Sequence, residues 1–228
     1  MRIGIIGAMQ MEVDNLKEVM TNQSTIKISG IDFVQGSIGD IEVVAAVCGV
    51  GKVFAAICAE AMIITFNPDM IINIGVAGTL TKDLTVLDVA VASDVFQHDM
   101  DTSALGDPVG LISGLNQIFF PTDEKMRTLL CEVLRDKGIH YLTGPIATGD
   151  LFMHEVEKKA QVRQDFGAIA AEMEGGSIGH VCTVNQVPFA VLRAISDGEG
   201  GAIDYQTFAE KAAIVSIEVI LEFIARLE

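Results

Sequence analysis

The chain has 228 residues, of which half are apolar and few are aromatic, and its formal net charge is −16. A chain of this length fits one large α/β domain, or less readily two small ones, and needs neither a disulfide nor a structural metal to build its core. The acidic balance opposes nucleic-acid binding, which needs clustered Lys and Arg, and no apolar run reaches the roughly 18 residues of a membrane span.

Short apolar runs predict strands that are buried on both faces. In chain order these runs cover residues 2–8, 41–48, 70–76, 89–92, 146–148 and 189–196. Residues 31–38 alternate more strongly and predict an edge strand or one arm of a hairpin. Gly39 and Asp40 then form a plausible two-residue turn into Ile41.

Helical patterns lie between these strands. They cover residues 11–20, 52–66, 175–185 and 205–227, and Thr122 is predicted to cap a further helix that runs to Lys137 and stops at Gly138. Strands alternating with helices predict one domain over residues 1–228, a three-layer αβα sandwich with a mixed, mostly parallel central sheet. The long irregular stretch 97–121 is predicted to be functional.

The cysteines indicate a reducing compartment. Cys48, Cys58, Cys131 and Cys182 form no C-x-x-C pair, and a chain with this much core has no need of disulfides. The first residues, MRIGIIGAM, lack the long apolar stretch of a secretion signal. We therefore expect reduced thiols and a cytoplasmic protein.

Three carboxylates stand at or just after predicted strand ends, where open α/β sheets bind their ligands. Glu12 follows the Gly7-Ala8-Met9 end of the first strand, Glu174 follows the segment 168–171, and Asp197 follows the last strand. Each has a structural alternative. Glu12 could favour a helix dipole, Glu174 could cap the helix that begins at Gly175, and Asp197 could serve the turn SDGEGG.

Six motifs in this order carry a resemblance: GIIGAMxxE, GVGKVxAA, INIGVAG, TGDxF, AAEMEGxxIxHVC and VxRAISD. Together they resemble the 5′-methylthioadenosine/S-adenosylhomocysteine nucleosidases of the purine nucleoside phosphorylase superfamily, over nearly the whole chain. The resemblance implies hydrolysis of the bond between adenine and ribose in 5′-methylthioadenosine, S-adenosylhomocysteine or 5′-deoxyadenosine. It implies no cofactor, and the four histidines show no metal-ligand spacing.

The chemistry explains why such a site needs carboxylates. Breaking an N-glycosidic bond creates a cationic, oxocarbenium-like ribose and a purine anion, which is a poor leaving group. The enzyme must therefore protonate the purine and activate water. By resemblance, Asp197 is the acid that protonates N7 of the purine, with Ser196 orienting its carboxyl group. Glu12 is then the base that holds the attacking water.

The resemblance also assigns the substrate-binding residues. Glu174 holds the ribose hydroxyls with Met173 beneath the sugar, Arg193 supports Glu12 and the 3′ side of the ribose, and Phe152 stacks on adenine. The remaining members of the predicted set are the backbone of Met153, which reads the adenine edge, together with Ala8, Val76, Glu172 and a 5′ pocket of Met9, Val50, Leu105 and Tyr205.

In the family, the residues around Thr102 and Leu105 come from the partner subunit, which implies a homodimer. The chain departs from the family pattern at Val76, where members often carry Ser near the water, and at Leu105, where an aromatic residue is frequent. Tyr205 replaces a Phe. We expect a small-molecule nucleoside as the binding partner, with neither nucleic acid nor membrane.

Three rival functions remain open at this point. A nucleoside phosphorylase of the same superfamily would need cationic groups for phosphate, yet only Arg193 lies in a motif. A hydrolase for another purine nucleoside differs little in sequence. A non-catalytic nucleoside-binding protein is opposed by the presence of all three carboxylates.

Overall fold

The computed structural model describes residues 1–198 and 202–227; residues 199–201, in the predicted turn after Asp197, and residue 228 lie outside this part. The strands are β1 (Arg2–Gly7), β2 (Thr21–Ile28), β3 (Ile31–Ile38), β4 (Ile41–Val47), β5 (Met70–Thr79), β6 (Val89–Gln97), β7 (Phe120–Pro121), β8 (Tyr141–Thr148), β9 (Ala170–Glu172) and β10 (Phe189–Asp197). The α-helices are α1 (Asp14–Val19), α2 (Lys52–Phe66), α3 (Glu124–Asp136), α4 (Val156–Phe166), α5 (Gly175–Asn185) and α6 (Ala202–Ala225).

The strands form one mixed sheet in the order β10-β6-β8-β9-β5-β1-β4-β3-β2, with β7 paired to β6. Strand β1 runs parallel to β4 and β5, and β10 runs parallel to β5. Because β10 pairs with both β5 and β6, strands β5, β9, β8, β6 and β10 form a closed ring within the sheet. The predicted mixed α/β fold is confirmed.

Apolar side chains from both faces of the sheet build two large cores, and a smaller third core includes Val162 of α4. Helices α2 and α5 pack on one face, through residues such as Met62 and Ile178, and α1, α3 and α6 pack on the other, through residues such as Leu16, Leu130 and Phe223. The apolar runs that predicted strands are therefore buried on both sides, as such runs usually are.

Two elements escape the sequence patterns because their residues face solvent. Strand β2 has no buried residue, so it shows no apolar alternation, and α4 buries only Val162. Of the two alternatives predicted for residues 31–38, an edge strand or one arm of a hairpin, the hairpin arm is confirmed. These residues form a hairpin arm whose other side is covered by β2, so β2 is the edge.

The start of α3 also differs from the prediction. Asp123, not Thr122, is the N-cap, and its carboxylate accepts a hydrogen bond from the Met126 amide at 3.0 Å. The Thr122 hydroxyl instead donates to the Ala92 carbonyl at 2.7 Å, so a contact with β6 competes successfully with the local cap. The predicted helix over residues 11–20 is a 3-10 turn, Gln10–Glu12, followed by the short α1.

The carboxyl ends of β1, β5 and β10 lie side by side. Asp197 at the end of β10 stands opposite Gly78 of β5, and Ile6 of β1 stands opposite Asn73 of β5. Loops that follow parallel strands meet at this edge, which is where open α/β sheets bind ligands.

None of the helices in residues 1–198 and 202–227 is both long and apolar enough to cross a membrane.

Candidate active site

A cavity of about 390 Å³ lies at this edge of the sheet, and its volume suits a small ligand. All predicted site residues line it except Arg193, Thr102 and Leu105. Six further residues line it that were not predicted: Ala77, Gly78, Leu151, Ala171, Ala202 and Gln206. Ala77, Gly78, Leu151 and Ala171 lie within the quoted motifs, next to residues that were predicted.

Glu12 is buried at the base of the cavity and is held by three backbone amides. The N–H groups of Ala8 and Met9 donate to Oε2 at 2.7 and 2.9 Å, and the N–H of Val76 donates to Oε1 at 3.1 Å. A Cβ atom at Gly75 would lie 2.6 Å from Oε1, so only glycine leaves room for the carboxylate. Val76 therefore contacts Glu12 through its backbone N–H, which any residue except proline can supply at this position.

Burial raises the pKa of Glu12, although the nearby Arg193 and the backbone hydrogen bonds lower it. A carboxyl group whose pKa is moved upward toward neutrality is a better proton acceptor than an ordinary surface carboxylate. The geometry thus fixes both oxygens of Glu12 in place and strengthens it as a base.

Arg193 lies behind the cavity and is fully buried. Its guanidinium donates hydrogen bonds to Glu172 and Asn73 and lies 3.9 Å from Glu174. In the described part of the chain no hydrogen bond joins Arg193 to Glu12. Arg193 was predicted to support Glu12, and here it acts on Glu12 only through its charge, which lowers the pKa of that carboxyl group. Arg193 is instead the counter-ion of the AEMEG motif.

Glu172 holds the start of α5 together. Its Oε2 accepts hydrogen bonds from the backbone amides of Glu174 at 3.0 Å and Gly175 at 2.7 Å, and its Oε1 accepts one from the Thr148 hydroxyl. Glu172 therefore supplies the capping contacts that the structural alternative assigned to Glu174. Its oxygens are satisfied by protein donors, which favours a supporting role over direct substrate contact.

Glu174 is consequently free of the capping role. It stands at the N-cap position of α5 without a side-chain capping bond, and its Oε1 accepts a hydrogen bond from the Gly51 amide at 2.9 Å. Burial, followed by the charge of Glu172, raises the pKa of Glu174 to about 7.

The inner site thus combines three buried carboxylates, Glu12, Glu172 and Glu174, with the single guanidinium of Arg193. Negative charge exceeds positive charge when the carboxylates are ionised. Fixed negative groups of this kind stabilise a cation that develops beside them in a transition state.

Asp197 is buried and lines the same cavity. The Ser196 hydroxyl donates to its Oδ1 at 3.0 Å, which matches the orienting role that the resemblance implies. Burial raises the pKa of Asp197, although Ser196 and Lys159 lower it. Burial therefore favours the protonated form that a general acid requires. The ammonium of Lys159, 3.6 Å from Oδ2, was not predicted.

Aromatic and apolar side chains surround the mouth of the cavity. The rings of Phe152 and Tyr205 meet edge to face, with centroids 5.6 Å apart, and the Tyr205 hydroxyl donates to the Met9 sulfur at 3.2 Å. Val50 and Phe152 remain exposed, so the cavity is open on this side.

Thr102 and Leu105 do not line the cavity within one chain. The Thr102 hydroxyl donates to Asp107 at 2.8 Å, and the Leu105 side chain is 84% exposed.

Among the residues that the structure describes, no three His, Cys, Asp or Glu side chains are grouped so that they could hold a metal ion.

Comparisons with known proteins agree with this geometry. The model of the phosphorylase superfamily matches residues 2–225. The 5′-methylthioadenosine/S-adenosylhomocysteine nucleosidase of Aeromonas salmonicida is 36% identical, and the match covers all of both chains. The aminodeoxyfutalosine nucleosidase of Campylobacter jejuni is also 36% identical with full coverage. A solved S-adenosylhomocysteine nucleosidase of Streptococcus pyogenes, in complex with 5-methylthiotubericidin, superposes with a TM-score of 0.95 at 30% identity, covering 100% of this chain and 98% of that one.

The chain therefore belongs to the phosphorylase superfamily. Within that superfamily its predicted resemblance to the methylthioadenosine and adenosylhomocysteine nucleosidases is confirmed. The matches support an N-ribosyl nucleosidase as the class of enzyme, and a small molecule as its substrate.

Proposed function

We propose that the chain hydrolyses the N-glycosidic bond of 5′-methylthioadenosine and S-adenosylhomocysteine, releasing adenine and a 5-thio-substituted ribose. The observation that carries this proposal is the placement of Glu12 and Asp197 in one cavity, one held by backbone amides and the other by Ser196. Two positioned carboxyl groups, one accepting and one donating a proton, are what hydrolysis of a glycosidic bond needs.

Each group has a defined task in this proposal. Asp197 gives its proton to N7 of the purine, which turns adenine into a neutral leaving group. Glu12 accepts a proton from the water that attacks the anomeric carbon. Glu174 accepts hydrogen bonds from the ribose hydroxyls, and the negative charge around Arg193 stabilises the cationic ribose.

The 5′ substituent is the least constrained part of the substrate. Met9, Val50 and Tyr205, which the resemblance assigns to the 5′ pocket, line the cavity and offer an apolar surface with one hydroxyl group. Such a surface suits a thioether. A second candidate substrate is aminodeoxyfutalosine, which is favoured by the equal identity to the Campylobacter jejuni enzyme of that name.

A panel of nucleosides tests the proposal. The purified chain is incubated with 5′-methylthioadenosine, S-adenosylhomocysteine, 5′-deoxyadenosine and aminodeoxyfutalosine, and the products are separated by chromatography. We expect adenine to be released from the two thio-substituted nucleosides. Release of adenine from aminodeoxyfutalosine alone would replace the proposed substrates with the second candidate.

We also propose that the active form is a cytoplasmic homodimer. Large apolar side chains stay exposed along α2, among them Val53 at 70% and Ile64 at 71%, and Leu105 is 84% exposed. Contiguous apolar surface on a single chain marks an interaction site. By the family resemblance, the segment around Thr102 and Leu105 would then reach the partner's cavity.

Light scattering at micromolar concentration is expected to give the mass of a dimer. Val53→Asp places a charge within the apolar α2 surface and should produce monomers with reduced activity, because a buried unpaired charge opposes association. Val156→Asp, at an exposed position on α4, is the matched control and should remain dimeric. A monomeric parent protein with full activity would refute the dimer.

A further inference from the structure

The side chain of Lys159 is set apart from the rest of α4. Most residues of this helix are exposed, whereas Lys159, Val162 and Phe166 form its inward face. The Lys159 side chain is only 13% exposed, although a lysine on a surface helix normally extends into water. A lysine that turns inward needs a partner to offset the loss of hydration.

Its partners are the carboxyl group of Asp197 and the peptide that follows it. The Lys159 ammonium lies 3.6 Å from Oδ2 of Asp197 and donates a hydrogen bond to the Gly198 carbonyl at 3.0 Å. On the other side of the same residue, the Gly198 amide donates to Oδ2 of Asp204 at 3.2 Å. Two helices, α4 and α6, thus hold the chain directly after Asp197 with side chains of opposite charge.

We propose that Lys159 is a positioning residue for Asp197: its ammonium holds the carboxyl group and the next peptide in place, and stabilises the carboxylate that remains after the proton has moved to the purine. This inference rests on the proposed function. Lys159 is not among the described residues that line the cavity, so it acts through Asp197 and not on the substrate.

The charges around Asp197 determine what removal of Lys159 does. Ser196 donates to the carboxyl group from the adjacent position, Lys159 faces it from α4, and Asp204 and Tyr205 face it from α6. Lysine is the cation in this set, and it lowers the pKa of Asp197 against the larger effect of burial. Without it, Asp197 keeps its proton to higher pH.

The test is the pH dependence of kcat/KM for adenine release. Activity that depends on a protonated acid falls as the pH rises through the pKa of that acid. The high-pH side of the profile, its alkaline limb, therefore reports the pKa of Asp197. Lys159→Met and Lys159→Gln should both move the limb upward by about one pH unit, the lower end of the usual effect of a nearby opposite charge. Glutamine retains a donor for the Gly198 carbonyl, so its variant separates the charge from the hydrogen bond. KM should change little.

Two variants serve as controls. Lys159→Arg keeps the positive charge and should leave the limb where it is, and so should Lys158→Met, which removes an exposed cation one position earlier on the same helix. If the alkaline limb stays at the parent's pH in both Lys159→Met and Lys159→Gln, the inference is overturned. Loss of folded protein in both, seen by circular dichroism, would assign Lys159 to stability alone and would equally overturn it. A parent protein that releases no adenine would instead refute the proposed function.

Discussion

Asp197→Asn is expected to lower kcat by about 100- to 10,000-fold, the usual effect of losing a general acid. Asparagine keeps the shape of the side chain and can still accept the hydrogen bond from Ser196. Its amide has no acidic proton to give to the purine, so adenine must leave as an anion. Because binding groups are unchanged, KM should change far less than kcat.

The measurement is steady-state adenine release at several pH values. Asp165→Asn is the matched control, since Asp165 is an exposed carboxylate on α4 that contacts Gln161, and it should behave like the parent. Turnover of the Asp197 variant within about threefold of the parent would remove Asp197 from the role of general acid.

Glu12→Gln is expected to reduce kcat to a similar extent, because an amide cannot accept a proton from water at neutral pH. The structure adds a second consequence. Both oxygens of Glu12 accept hydrogen bonds from backbone amides, so the amino group of glutamine must face one N–H donor. One unmade buried hydrogen bond costs about 1–3 kcal/mol of stability.

Binding and folding are therefore measured beside activity. The Glu12 variant should melt at a lower temperature than the parent, yet still bind a non-hydrolysable substrate analogue in calorimetry. Asp14→Asn, at an exposed position on α1, is the control for removal of a nearby carboxylate. A folded Glu12 variant that no longer binds the analogue would show that Glu12 shapes the site and does not act as the base.

The elements that shape the site were the most predictable from sequence. Helices α2 and α5 have the bounds that the pattern predicted, Lys52–Phe66 and Gly175–Asn185. Strands β1 and β10, which lead to Glu12 and end in Asp197, are predicted apolar runs and are almost fully buried. Strand β2 and helix α4 were missed for the opposite reason. Their side chains face water, so burial leaves no periodic pattern in the sequence.

Contacts between distant parts of the chain were not predictable from local patterns. The motif AEMEG contains two glutamates, and only the structure shows that Glu172 caps α5 and binds Arg193, which leaves Glu174 facing the cavity. Lys159 lies on an element without a burial pattern, 39 residues before the carbonyl that it contacts. Its position beside Asp197 follows from tertiary packing alone.

We propose that water, and not phosphate, attacks the ribose. A phosphate dianion in the cavity would approach Glu12 and Glu174, and like charges about 4 Å apart repel by several kcal/mol in a partly dry site. No Lys or Arg is among the described residues that line the cavity, and Arg193 behind it is already bound to Glu172. Water carries no charge, and Glu12 can accept its proton.

The most direct test compares products formed from 5′-methylthioadenosine in phosphate-free buffer and in buffer with millimolar phosphate. We expect the same rate in both buffers, with free adenine and free 5-methylthioribose as the products. A ribose 1-phosphate product, or activity that disappears when phosphate is removed, would contradict this proposal and identify the chain as a phosphorylase.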